Sequence, residues 1–136
     1  MGVVSFINNF MYEYKIKEIT KVVDGDTLDV IFDLGFSMFI KQRVRLDGID
    51  TPELFSGDEN EKKFGLDAKE FVEKWISEQK EIVIKTSKDD KYGRILGKLY
   101  GNDEKCLNTV LIESGYAWVY PIKEKNYDIL LERRKA

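Results

Sequence analysis

Three short segments of this 136-residue chain concentrate side chains that act on charged substrates. The first is Asp24-Gly25-Asp26-Thr27, two carboxylates around a glycine at the head of a strand-like run. By itself this is a common turn, because aspartate bonds its local backbone and glycine tolerates positive φ. The second is RLDGIDTPE, from Arg45 to Glu53. Proline cannot extend a sheet ladder, so the chain must turn at Pro52, bringing Asp50 and Glu53 together. Like charges so placed repel unless a cation lies between them. The third is KDDKYGR, from Lys88 to Arg94, which alone reads as a charged hairpin tip.

The three segments share a logic. Asp26 and Asp50 offer hard anionic oxygens to one cation. Arg45 and Arg94 offer planar forks that match a phosphate in bidentate fashion. Glu53, beside the cation, is placed to orient or deprotonate a water. A metal ion, two guanidinium groups and a carboxylate base are sufficient for in-line hydrolysis of a phosphodiester.

Composition removes most alternatives. The chain has no histidine and one cysteine, Cys106. There is therefore no imidazole for a serine or cysteine triad, no histidine-ligated zinc and no internal disulfide. Any metal must be held by oxygens, which points to Ca²⁺ or Mg²⁺. Two generic motifs fail on inspection. An EF-hand loop counted from Asp24 has Asp29 where glycine is required and Gly35 where the bidentate glutamate belongs. A phosphate loop from Gly93 to Lys98 is one residue short and is followed by Leu99 instead of Ser or Thr.

The elements that must carry these groups follow from periodicity. Tyr12, Tyr14 and Ile16 alternate with polar residues, as do Leu28, Val30 and Phe32. Met38, Ile40, Val44 and Leu46 are expected on one face of a longer strand, with Lys41, Arg43 and Arg45 on the other. Ile82 and Ile84 mark a fourth strand and residues 95–100 a fifth. Between them the period changes. Phe64, Ala68, Phe71, Val72, Trp75 and Ile76 form the apolar stripe of a helix over about 60–77. A second helix is predicted over 104–114, closed by Gly115, and a third from Tyr127 to Lys135. Cys106, at the start of the second, reads as a packing residue. Five short strands and two or three helices make a mainly β, α+β domain, most simply a small closed barrel. Residues 1–11 read as an N-terminal extension and 12–136 as one domain. The extension has no basic region and no long apolar stretch, so no intact signal peptide is expected, and no apolar run reaches membrane-spanning length.

The segments VVDGDTLDV (22–30), RLDGIDTPE (45–53), FGLDAKEF (64–71), DKYGRILGKLY (90–100) and NTVLIESGYAWV (108–119) resemble, in order and spacing, the staphylococcal nuclease (thermonuclease) family. That resemblance implies an OB-fold, a five-stranded Greek-key β-barrel with helices packed on it. It implies a Ca²⁺-dependent nuclease that hydrolyses DNA and RNA at the 5′ P–O bond and leaves 3′-phosphate ends. By position, Asp26 and Asp50 match the Ca²⁺ carboxylates, and Thr51 would add its backbone carbonyl. Glu53 matches the general base, and Arg45 and Arg94 match the guanidinium groups on the scissile phosphate. Lys91 and Tyr92 match contacts to the neighbouring terminal phosphate. Asp24 would hydrogen-bond a water on the metal. The resemblance favours an exported protein, acting without a membrane or an obligate protein partner.

Two features depart from the family pattern. The tyrosine pair that stacks on a base after the second helix is replaced here by a stretch in which Tyr120 is the first candidate and Trp118 the weaker one. The net charge is −3, whereas well-known members are basic. Residues 80–98 hold six Lys or Arg against three Asp or Glu, so a local basic face remains. The rival reading is an inactive barrel that binds single-stranded nucleic acid or a protein. Against it stands the full set of Asp26, Arg45, Asp50, Glu53 and Arg94.

Overall fold

A computed structural model describes residues 12–89 and 93–136. The N-terminal extension, together with Lys91 and Tyr92, lies outside the described residues. Among the described residues, seven strands and three helices follow in the order β1 (Tyr12–Asp24), β2 (Thr27–Asp33), β3 (Phe39–Leu46), β4 (Ile49–Asp50), α1 (Glu59–Ser77), β5 (Val83–Asp89), β6 (Ile95–Tyr100), α2 (Leu107–Glu113), β7 (Trp118–Val119) and α3 (Tyr127–Lys135). Five of the strands close a barrel in the order β1-β2-β3-β6-β5. The five predicted strands and the three predicted helices are all present, in the order of an OB-fold.

Closure depends on β1. It slips register against β2 at three places, between Ile16 and Glu18, Ile19 and Lys21, and Val22 and Asp24. Each slip bends the strand and adds twist, so that one strand borders β2 and also, from Tyr12 to Lys15, β5. All pairings but one are antiparallel. The exception joins β3 to β6 in parallel, Val44 with Ile95 and Leu46 with Gly97.

The inward residues of alternating strands fill the barrel: Leu28, Val30, Val44, Ile84 and Leu99 are fully buried. Val72 and Trp75 of α1 and Leu107 and Leu111 of α2 belong to the same core. Asp58 begins α1, its carboxylate accepting from the Asn60 and Glu61 amides. A smaller cluster of Phe64, Trp118 and Leu130 fastens α3 to α1. Arg134 lies over the Phe64 and Tyr116 rings and reaches the Gly115 carbonyl and Asp67.

Two expectations need correction. Met38, expected on one strand face with Ile40, Val44 and Leu46, precedes β3, and burial along that face is uneven, with Met38 and Ile40 exposed and Val44 and Leu46 buried. The parallel partner β6 covers only Val44–Leu46, so the first half of β3 has β2 alone as its neighbour, while β2 stays paired with β1 along its length. Leu34, Phe36 and Phe39 are exposed at the same end of the hairpin. The second helix is also shorter than predicted. Glu104 takes a left-handed φ of 60°, and α2 starts only at Leu107, after Tyr100 has bridged to Cys106.

Candidate active site

The three chemistry-bearing segments meet at one end of the barrel. Asp24 ends β1, and Asp26 is the second residue of the two-residue turn that leads into β2. Thr27 pairs with Arg45 across the β2–β3 ladder, which sets Arg45 beside Asp26. The parallel β3–β6 register brings in the third segment, because Arg94 immediately precedes Ile95, the partner of Val44. The short β4–β7 pair, Ile49 with Val119 and Asp50 with Trp118, delivers the last group. It leaves the Tyr120 amide bonded to the Gly48 carbonyl at 2.9 Å.

The result is a cleft of about 730 Å³. Asp24, Asp26, Asp50 and Glu53 line it together with Arg45 and Arg94, and Tyr120 stands on its rim. Asp26 is its most buried acid, at 7% exposure. One carboxylate oxygen accepts from the Thr27 hydroxyl and the other from the Thr51 amide, each at 3.1 Å. The Nη2 of Arg45 lies 3.4 Å from Asp26 and 3.5 Å from Asp50, and its Nη1 donates to the Leu46 carbonyl at 2.9 Å. Arg45 is therefore held on three sides.

The acids are crowded. Burial, then the hydrogen bond and charge of Asp26, push Asp24 up to about 7. Burial and then the charge of Asp26 push Asp50 up to about 6, against the opposing pull of Arg45. Asp26 goes the other way. Burial opposes its ionisation but is outweighed by Asp24, Arg45, the Thr51 amide and the Thr27 hydroxyl, which together hold it below the usual range. Glu53 is near enough to add its charge to both Asp24 and Asp50. Among the described residues, no three acidic or cysteine side chains already stand as a metal cage. The available donors are all oxygens, and their repulsion is what a divalent cation relieves.

Not every sequence candidate reaches the cleft. Thr51 is 4% exposed and lies behind the wall, its amide committed to Asp26. Trp118 is buried; its indole donates to the Asn126 carbonyl and its ring packs on Tyr127, so it offers no face to a base. Tyr120 is exposed, with its ring 6.0 Å from the Arg45 guanidinium carbon.

Three residues that shape the site were not singled out from sequence. A side chain at Gly25 would stand 2.8 Å from the Ala68 Cβ, so only glycine lets the turn bearing Asp24 and Asp26 sit on α1. Buried Asn108 donates to the Asp47 and Gly97 carbonyls and accepts from the Leu99 amide, tying the turn after β3 to β6. Glu61 is buried at the start of α1, among the Glu53 amide, the Ser56 hydroxyl and Lys125. Asn after a helix start and Glu in a first helical turn both read as ordinary surface choices, and only the fold shows them buried.

Comparison with known proteins agrees with this arrangement. Residues 43–136 match the family model described as staphylococcal nuclease homologue. The chain is 34% identical over 118 residues to a thermonuclease of Staphylococcus intermedius, covering 85% of this chain and 66% of that protein. It is 30% identical over 102 residues to an uncharacterized endonuclease of Escherichia coli, covering 75% and 59%. It is 28% identical over 120 residues to Endonuclease YhcR of Bacillus subtilis, covering 80% of this chain but 10% of that much longer protein. The chain thus spans between a tenth and about two-thirds of the length of these relatives. A match that runs from β3 through α3 takes in Arg45, Asp50, Glu53 and Arg94, and on that ground the chain belongs to the staphylococcal nuclease homologue family.

Proposed function

We propose that the protein is a Ca²⁺-dependent nuclease that hydrolyses DNA and RNA at the 5′ P–O bond, leaving 3′-phosphate ends. The observation that carries this reading is the convergence of Asp26, Asp50, Glu53, Arg45 and Arg94 on one cleft from three separate stretches of chain. The names of the nuclease relatives support the reaction class.

In this reading Asp26 and Asp50 would hold the cation and Asp24 would bond a water on it, whereas Thr51, whose side chain is buried and does not line the cleft, would contribute through its backbone carbonyl alone. A bound Ca²⁺ would supply positive charge at the scissile phosphate and Lewis-acid polarisation of a water. Glu53 takes the proton from that water. Arg45, steadied by Asp26, Asp50 and the Leu46 carbonyl, presents its fork to the phosphate, and Arg94 faces it from the start of β6. Tyr120, exposed on the rim, stacks on a base of the single strand. Lys91 and Tyr92 are assigned to the neighbouring terminal phosphate. An all-oxygen donor set with no histidine fits a hard cation, and flexible side-chain ligands favour Ca²⁺ over the smaller Mg²⁺.

The test is cleavage of a fluorescent single-stranded DNA at low salt and mildly alkaline pH. Cleavage should require Ca²⁺, stop on addition of EGTA and fall by roughly 100-fold or more in Glu53→Gln, with Ca²⁺ binding retained. DNA bound but not cut by the unaltered protein would instead identify a binding barrel.

A further inference from the structure

The nuclease reading gives Glu53 the most demanding placement of any group, yet its side chain is exposed and sits on a loop between β4 and α1. One buried carboxylate bonds that loop at two points. Glu61 is 8% exposed, in the first turn of α1. One of its oxygens accepts from the backbone amide of Glu53 at 3.3 Å and also pairs with the Lys125 ammonium. The other accepts from the Ser56 hydroxyl at 3.1 Å, and the Ser56 oxygen accepts from the Asp58 amide at 3.0 Å. The carboxylate thus binds the loop at Glu53 and at Ser56, and ties both to the segment between β7 and α3.

A buried glutamate is costly unless paired and hydrogen-bonded, and here both oxygens are committed to groups that bear on the loop. Burial opposes ionisation of Glu61, but Lys125, the Glu53 amide and the Ser56 hydroxyl outweigh it and hold the group below its ordinary range. Helix dipole alone does not explain it, because the neighbouring Glu59 serves that purpose from the surface.

We propose that Glu61, locked by Lys125, is the positioning residue for Glu53: it holds the Glu53 backbone so that its carboxylate meets the attacking water. The inference rests on the nuclease reading for its catalytic consequence, and on geometry alone for the latch. Small displacements of a catalytic group are expensive, so the effect should fall on turnover.

The experiment compares wild-type protein with Glu61→Ala, Glu61→Gln and Lys125→Met, each at a temperature where circular dichroism shows it fully folded. It measures kcat, KM for single-stranded DNA, the Ca²⁺ concentration for half-maximal rate, and hydrogen exchange of the Glu53 amide by NMR. Glu61→Ala should lose at least about tenfold in kcat, with KM and the Ca²⁺ requirement changing less than about twofold, and should exchange the Glu53 amide at least about tenfold faster. Glu61→Gln keeps one acceptor oxygen and should fall between Glu61→Ala and wild type. Wild-type kcat in Glu61→Ala, with Glu53→Gln still inactive, would overturn the positioning role and leave the nuclease reading intact. Parallel loss of kcat, substrate binding and Ca²⁺ binding would overturn it as well, in favour of a general structural role. If wild-type protein cuts nothing, the nuclease reading fails. Glu53 exchange then decides the latch alone, faster exchange in Glu61→Ala upholding it and unchanged exchange overturning it.

Discussion

At the scale of single residues, the cleft sets Arg45 and Arg94 against five carboxylates, those of Asp24, Asp26, Asp47, Asp50 and Glu53, and its arginines are not interchangeable with lysine. Arg45 uses separate nitrogens for the Leu46 carbonyl and for the two acids, which a single ammonium cannot reproduce. Arg45→Lys and Arg94→Lys should each lower kcat by roughly 100-fold or more, read in single-turnover cleavage; a loss under about threefold would remove the assigned roles. The acids make a second prediction. The carboxyl of Asp24 is raised in the fold, so its protonated form is favoured there. Its contribution to stability is fully present below about 4, the ordinary aspartate range, and is lost as the pH rises through about 7. Thermal melts in EDTA should therefore show Asp24→Asn more stable than wild type at pH 8 and little different at pH 4. Equal effects at both pH values would mean that Asp24 is not desolvated. Asp26, Arg45, Asp50, Glu53 and Arg94 were legible in the chain because each sits in a short motif whose residue types have a joint chemical use. Glu61 was not, because its function depends on Lys125, which is 64 positions away and carries no motif.

Among the elements, the barrel strands were readable from alternation, since Leu28, Val30, Phe32 and Ile84 face one buried interior. The β4–β7 pair was not. Two residues on each side are too few to show a period, yet that pair carries Asp50 and aims Tyr120. The burial of Trp118 was equally hidden, because an aromatic just beyond a helix has the same signature whether it faces a ligand or Tyr127. The contact between α1 and the Glu53 loop also lies at this scale. A side chain at Gly65 would stand 2.8 Å from both the Leu54 amide nitrogen and the Pro52 carbonyl oxygen, backbone atoms that cannot swing aside. Gly65→Ala should therefore push the loop off the helix. It should melt lower by several degrees, corresponding to about 1–3 kcal/mol, and lose kcat by more than its folded fraction explains. An alanine variant with unchanged melting and rate would show that the loop does not rest on α1 in solution.

For the whole molecule, net charge and local charge point in opposite directions. The chain is acidic overall, so attraction to a nucleic acid comes from local groups, the lysines and arginines of residues 80–98 together with Arg45 in the cleft. Engaging about three phosphates of a single strand would weaken binding roughly twentyfold between 50 and 200 mM salt. KM should rise accordingly while kcat holds, and a flat salt dependence would argue against phosphate contacts by that face. Barrel closure has a consequence in time as well as in space. The acids lie early in the chain, at Asp24 to Glu53, whereas Arg94, the β6 strand that pairs with β3, and Tyr120 come late. While the chain is still being translated, the carboxylates emerge without the partner strand that completes the cleft. A ribosome-bound fragment ending before residue 94 has no second guanidinium and no closed wall. On the nuclease reading, the cleft is therefore complete only after β6 and the segment that carries Tyr120 have followed the acids out of the ribosome.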